Sequence, residues 1–140
     1  MLNNAIDIIL VEDNPDDARL TIRALKKNNL SNNLLHLRDG EEAIRYLTEH
    51  KNNNLPKLIL LDLKMPKVDG IEVIKYLKND LDLRLIPIVV LTSSKEDRDI
   101  KRSYELGANA FIVKPVDFEN FTQAVSKIGF FWLMLNQPPK

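Results

Sequence analysis

LILLDL at residues 58–63 and PIVVLT at 87–92 decide how this chain reads. Each is a nearly unbroken apolar run of strand length. A run without polar alternation fits a strand covered on both faces, as in a parallel sheet flanked by helices. Three further runs join them: IDIILV at 6–11, LLHLR at 34–38 and AFIVK at 110–114. The stretches between carry helical spacing, with Ala18, Ile22 and Leu25 on one face of the first and Ile71, Ile74 and Leu77 on one face of the third. Pro15 suits a first helical turn, Ser93 with Glu96 has the spacing of a capping box, and Gly107 suits the end of the fourth helix. Strand and helix therefore alternate. This predicts an α/β fold, a doubly wound five-stranded parallel sheet in the order 2-1-3-4-5 with right-handed crossovers. The connection KNDLDLRLIP at 78–87 is longer than usual, and its role is not legible from the sequence.

The 140 residues are the size of one domain, 1–140, in which 129–140 reads as an apolar extension of the last helix plus a polar tail, NQPPK. With 44% hydrophobic and 29% charged residues the composition is that of an ordinary globular protein. Twenty basic residues balance twenty acidic ones, so no long-range field favours nucleic acid or anionic lipid, and DNA is not expected as a partner. The absence of cysteine excludes disulfides, thiolate metal sites and cysteine nucleophiles. The opening MLNNAIDII has no basic segment leading into a long apolar one; no signal peptide is expected, and the cytoplasm is the expected location.

In such a sheet, ligands bind beyond the carboxyl ends of the strands at the topological switch point, here between the first and third strands. Glu12 and Asp13 follow the first strand and Asp62 ends the third, so the predicted topology gathers three carboxylates. Their repulsion is relieved by a divalent cation, and an all-oxygen donor set without His or Cys suits Mg²⁺ better than Zn²⁺. Taken alone, Glu12 and Asp13 could instead cap the helix opening near Pro15. Thr92 and Lys114 end the fourth and fifth strands; singly they read as a turn cap and a solvated lysine. Together the five polar residues converge from four strands. Asp62 then suits a nucleophile toward a phosphoryl group, with the cation and Lys114 offsetting charge on the phosphoryl oxygens and Thr92 donating a hydrogen bond.

The motifs VEDN at 11–14, LLDLKMPKVDG at 60–70, VLTSS at 90–94 and FIVKP at 111–115 resemble, in order, those of bacterial receiver domains, from about Ile6 to about Ile128. The resemblance implies a switch that accepts a phosphoryl group on itself from a histidine kinase, rather than a conventional enzyme. It makes Asp62 the phosphoacceptor, Asp13 a direct Mg²⁺ ligand, Glu12 a ligand through water and the Lys64 carbonyl a third protein ligand. Thr92 becomes the switch hydroxyl, Lys114 the phosphate-binding lysine and Phe111 the switch aromatic, while Lys64 and Ser94 flank the site and tune the phosphoryl lifetime. It also implies a cis peptide before Pro115. The short length, PVDFENF at 115–121 and the apolar ending are further similar to single-domain regulators serving cyanobacterial phytochrome kinases, so a phytochrome-type sensor kinase is the implied partner.

The last helix is expected to open near Asp117, with Phe118, Phe121, Val125, Ile128, Trp132 and Leu135 on one stripe. From Gly129 to Leu135 the chain is apolar on all sides and too short to span a bilayer. Phe130, Phe131, Trp132, Met134 and Leu135 are therefore expected at an interface, with self-association into a homodimer placed ahead of kinase docking and membrane-surface attachment. Two enzyme or cofactor readings fit worse. A haloacid-dehalogenase-like phosphatase needs an acid where Lys64 stands, and a flavin protein needs a hydroxyl- and glycine-rich loop where EDNPDD stands. The remaining rival is a dimeric binding module of the same fold that works without phosphorylation.

Overall fold

The computed structural model describes residues 6–27, 29–30, 33–52, 55–114 and 117–139, apart from the side chain of Phe118. Five strands, β1 (Ile8–Val11), β2 (Leu34–Leu37), β3 (Leu58–Leu61), β4 (Ile88–Thr92) and β5 (Ala110–Val113), form one parallel sheet in the order 2-1-3-4-5. Five α-helices alternate with them: α1 (Pro15–Lys27), α2 (Gly40–His50), α3 (Gly70–Lys78), α4 (Asp97–Leu106) and α5 (Phe118–Phe130). The order expected from the apolar runs is the order observed.

Strand alternation divides the core. Ile9, Val11, Ile59, Leu61, Ile88 and Val90 pack with Ala43, Leu47, Val73, Ile74 and Leu77 on one side of the sheet. Ile8, Leu10, Leu58, Leu60, Val89 and Leu91 pack with Ala18, Ala24, Leu25, Phe121 and Val125 on the other. Both strand faces are thus dry, which is why β3 and β4 carry no polar alternation. Each fully buried Leu or Ile contributes roughly 1.5–3 kcal/mol relative to an exposed one.

The starts of α1, α2, α3 and α5 share one local device, an Asp or Asn side chain that caps the first turn. Asp39, Asp69 and Asp117 each accept a hydrogen bond from the backbone N–H three residues on, and Asn14 Oδ1 accepts from Asp16 and Asp17. Asn14 therefore caps α1, leaving Glu12 and Asp13 free of that task. The capping box expected from Ser93 and Glu96 does not form. Glu96 itself occupies the N-cap of α4 without a side-chain bond, because the helix starts at Asp97, one turn later than that spacing requires. Gly107 ends α4 as expected, at φ 111°, with the Ala108 N–H closing onto the Ser103 carbonyl. The long 78–87 connection is folded on Asp80, whose Oδ1 accepts from the N–H groups of Asp82 and Leu83; Leu83 and Ile86 are buried beneath it.

After α5 the chain widens into a π-helical turn, Phe131–Leu135, closed by the Asn136 N–H on the Phe131 carbonyl. The wider turn breaks the three-four stripe. Trp132 and Leu133 are partly buried against the α1/α5 side of the core, whereas Leu135, expected on the same stripe as Trp132, is 63% exposed. No helix among the described residues is long and apolar enough to cross a membrane.

Candidate functional site: an acidic cluster at the sheet switch point

Strand register brings the site together. Val11 pairs with Leu61, and the Asp62 N–H donates to the Val11 carbonyl at 3.1 Å, so Glu12 and Asp62 leave adjacent strands at the same height. Thr92 pairs with Val113, and the Lys114 N–H donates to the Thr92 carbonyl at 2.8 Å, which sets Lys114 at the same end of the sheet. Glu12, Asp13 and Asp62 offer carboxylate oxygens that lie within 4.8 Å of one another. Three hard oxygen donors this close, with no nitrogen or sulfur among them, fit a small divalent cation.

Glu12 is only 2% exposed, Asp62 is buried and Asp13 reaches solvent. The ammonium of Lys114, whose side chain is 9% exposed, lies 2.7 Å from Glu12 Oε1, 2.8 Å from Asp17 Oδ2 and 3.5 Å from Asp62 Oδ2. Lys114 is therefore no solvated loop lysine. Burial pushes the Glu12 pKa up to about 7, helped by the Asp62 charge and only partly opposed by Lys114. Burial also works against the Lys114 charge, but the hydrogen bonds to Asp17 and Glu12 and the Asp62 carboxylate outweigh it and raise its pKa. The two shifts describe one interaction from its two ends. Three carboxylates hold one ammonium, while Glu12 must share that ammonium in a buried, acidic neighbourhood.

Thr92 is fully buried, and its Oγ1 accepts from the Ser94 N–H at 3.4 Å, so the turn contact expected of it exists as well. Phe111 is half-buried against the core and lies beside Val90 in the sheet. Lys64 stands at the mouth of the site: its N–H donates to Asp62 Oδ1 at 3.4 Å and its ammonium pairs with Asp99 at 3.2 Å. Pro115, where a cis peptide was expected, lies outside the described residues. Asp17 and Asp99 were not singled out from the sequence. EDNPDD carried the signal for Asp17, since a residue in the first turn of α1 faces the sheet end, but nothing local marks Asp99.

A 2-1-3-4-5 sheet with a buried carboxylate cluster at its switch point and a lysine clamped over it defines a class of signalling domain. Residues 8–126 match the response regulator receiver domain, and the chain belongs to that family. It is 42% identical over 134 residues to the Probable methanogenesis regulatory protein FilR2 of Methanothrix harundinacea, covering 94% of this chain and 86% of that protein. It is likewise 42% identical over 129 residues to the response regulator Rcp1 of Synechocystis sp., covering 90% and 88%. Among solved structures, the Mn²⁺-bound form of Rcp1 superposes with a TM-score of 0.88 at 40% identity, over 97% of this chain and 100% of that one. The phosphorylated cyanobacterial phytochrome response regulator RcpA matches with the same TM-score, identity and coverage.

Proposed function

We propose that this chain is a Mg²⁺-dependent phosphoacceptor switch, phosphorylated on Asp62 by a sensor histidine kinase of the phytochrome type. The observation that carries the reading is the juxtaposition of Asp62, in a cluster of three carboxylates, with the buried Lys114 ammonium 3.5 Å away. The Mn²⁺-bound and phosphorylated relatives support it. An Asp62 oxygen attacks the phosphorus of the donor's phosphohistidine; the new O–P bond forms as the P–N bond breaks, and the imidazole nitrogen leaves with the electron pair. Glu12, Asp13, Asp62 and the Lys64 carbonyl would hold Mg²⁺, which would supply positive charge to offset that of the phosphoryl group. Lys114 contributes its own charge there, and the Thr92 hydroxyl donates to one of these oxygens. Movement of Thr92 lets Phe111 turn inward and alters the surface built from α4, β5 and α5.

The test is incubation with a small-molecule phosphodonor followed by intact-mass measurement. A phosphate-sized gain is expected for wild type with Mg²⁺ and for neither Asp62→Asn nor a metal-free control. A gain on Asp62→Asn would move the acceptor elsewhere, and no gain on wild type from either a small donor or a phosphorylated kinase would favour the phosphorylation-independent binding module.

Output then passes through protein contacts. Phe130, Phe131, Met134 and Leu135 are 48–63% exposed on consecutive turns, and this apolar face pairs two copies of the chain. Trp132 supports that face from below, its ring edge-on to Phe131 at 5.0 Å. Sedimentation is expected to show a dimer for wild type and a monomer for a Met134→Lys, Leu135→Lys variant, whose substitutions fall on exposed positions. A monomeric wild type, with and without phosphorylation, removes the dimer from this reading.

A further inference from the structure

One carboxylate beside the site is not used by the phosphoacceptor reading. Asp99, in the first turn of α4, places a single oxygen, Oδ2, 2.6 Å from Ser94 Oγ and 3.2 Å from Lys64 Nζ. Lys64 stands two residues after Asp62 and Ser94 two residues after Thr92, so this oxygen ties together the loops that follow β3 and β4. Each tied residue also contacts the site through its backbone. The Lys64 N–H donates to Asp62 Oδ1 and the Ser94 N–H to Thr92 Oγ1, both at 3.4 Å. The Asp99 side chain is 15% exposed and Ser94 is buried, so water competes weakly for the Ser94–Asp99 bond. The hydrogen bond from Ser94 and, next, the contact with Lys64 hold the Asp99 carboxyl below its ordinary pKa despite that burial, and the α4 N-terminus also favours its charge.

We propose that Asp99 is a positioning residue that, through Ser94 and Lys64, holds Thr92 and the β4–α4 loop in the unphosphorylated arrangement; this rests on the reading of Asp62 as phosphoacceptor. In the proposed switch Thr92 moves toward a phosphoryl group on Asp62, and Ser94, whose N–H donates to Thr92 Oγ1, moves with it. Asp99 restrains that pair at the Ser94 hydroxyl and restrains the opposite lip of the site at the Lys64 ammonium. A contact made only in the resting arrangement must break on switching, so it weakens binding of the phosphoryl group by the factor it contributes to the resting state. Hydrogen bonds to a charged partner of this kind are worth about tenfold or more in an equilibrium constant.

The experiment uses the full chain with Mg²⁺ and beryllofluoride, an inert phosphoryl mimic, titrated by calorimetry into wild type, Asp99→Asn, Ser94→Ala and the double variant. Asp99→Asn is expected to bind beryllofluoride about tenfold more tightly than wild type, while its unliganded melting temperature stays equal or falls. In the Ser94→Ala background the same substitution is expected to have a smaller effect, that of the Lys64 arm alone. A residue that only supports the fold would lower the melting temperature without tightening binding, so equal or weaker binding by Asp99→Asn overturns the proposal. A full effect of Asp99→Asn in the Ser94→Ala background overturns the route through Ser94. Should Asp99→Asn fail to fold, Lys64→Met breaks the other arm at an exposed side chain, and tighter binding is expected there too; equal binding overturns the restraint. A wild type that binds no beryllofluoride defeats the phosphoacceptor reading and this inference with it, whereas a wild type that binds it as well as Asp99→Asn does defeats this inference alone.

Discussion

Gly70→Ala is expected to lower the unfolding free energy by about 3 kcal/mol and to slow phosphorylation of Asp62. The position opens α3, where alanine would ordinarily be favoured over glycine by about 1 kcal/mol, so propensity alone predicts the opposite sign. Sterics decide. A Cβ at residue 70 falls against the Asp62 carbonyl oxygen and 2.7 Å from the Leu63 Cα, and these are backbone atoms that cannot swing aside. The Gly70 N–H also donates to the Leu63 carbonyl at 2.9 Å, closing the loop that carries Asp62 and Lys64. Relief of the clash has to move that loop, and the proposed acceptor moves with it. Chemical denaturation of wild type and Gly70→Ala checks the first part; an unchanged or higher midpoint would show that the loop accommodates the methyl. The rate of mass gain with a phosphodonor checks the second.

Lys114→Met keeps most of the side-chain volume and removes the charge. It is expected to cost about 3 kcal/mol of stability at pH 8 in metal-free buffer, because Glu12 and Asp62 are left buried without their cation. The loss should depend on pH in a defined direction. Glu12 has a folded pKa of about 7, above its unfolded value of 4.5, so the folded chain binds this proton more readily. Its contribution therefore favours folding at low pH and is lost as pH rises through about 7. Without the ammonium that opposes this shift, the Glu12 pKa rises further, so the deficit of Lys114→Met is expected to be largest at pH 8 and to shrink toward pH 5. Mg²⁺ should restore part of it at pH 8. Thermal melts across that range provide the check, and a deficit that grows on acidification would mean that Lys114 does not carry the charge balance of the cluster. The variant is still expected to take up phosphate on Asp62, with weakened coupling to Thr92 and Phe111.

Much of this molecule is legible before it folds. Ile and Leu runs without polar alternation identify strands dry on both faces, helical spacing fills the gaps, and a parallel sheet with right-handed crossovers leaves few orders besides 2-1-3-4-5. Glu12, Asp13, Asp62, Thr92 and Lys114 are legible for the same reason. They directly follow or end apolar runs, and strand ends lie on one rim once the order is known.

Other features follow from contacts that no local pattern encodes. Asp17 and Glu12 share the Lys114 ammonium across 97 and 102 residues, and which carboxylate reaches it depends on the angle of α1 against the sheet. Asp99 joins Lys64 to Ser94 from the first turn of α4, contacts between three separate segments that no local spacing announces. Leu135 leaves the stripe on which Trp132 still packs because the chain widens there into a π-helical turn, off the 3.6-residue period that would have continued it. Periodicity and strand-end position are properties of neighbouring residues and survive in the sequence, whereas the choice among competing partners is made by three-dimensional packing and exists only once the chain has closed.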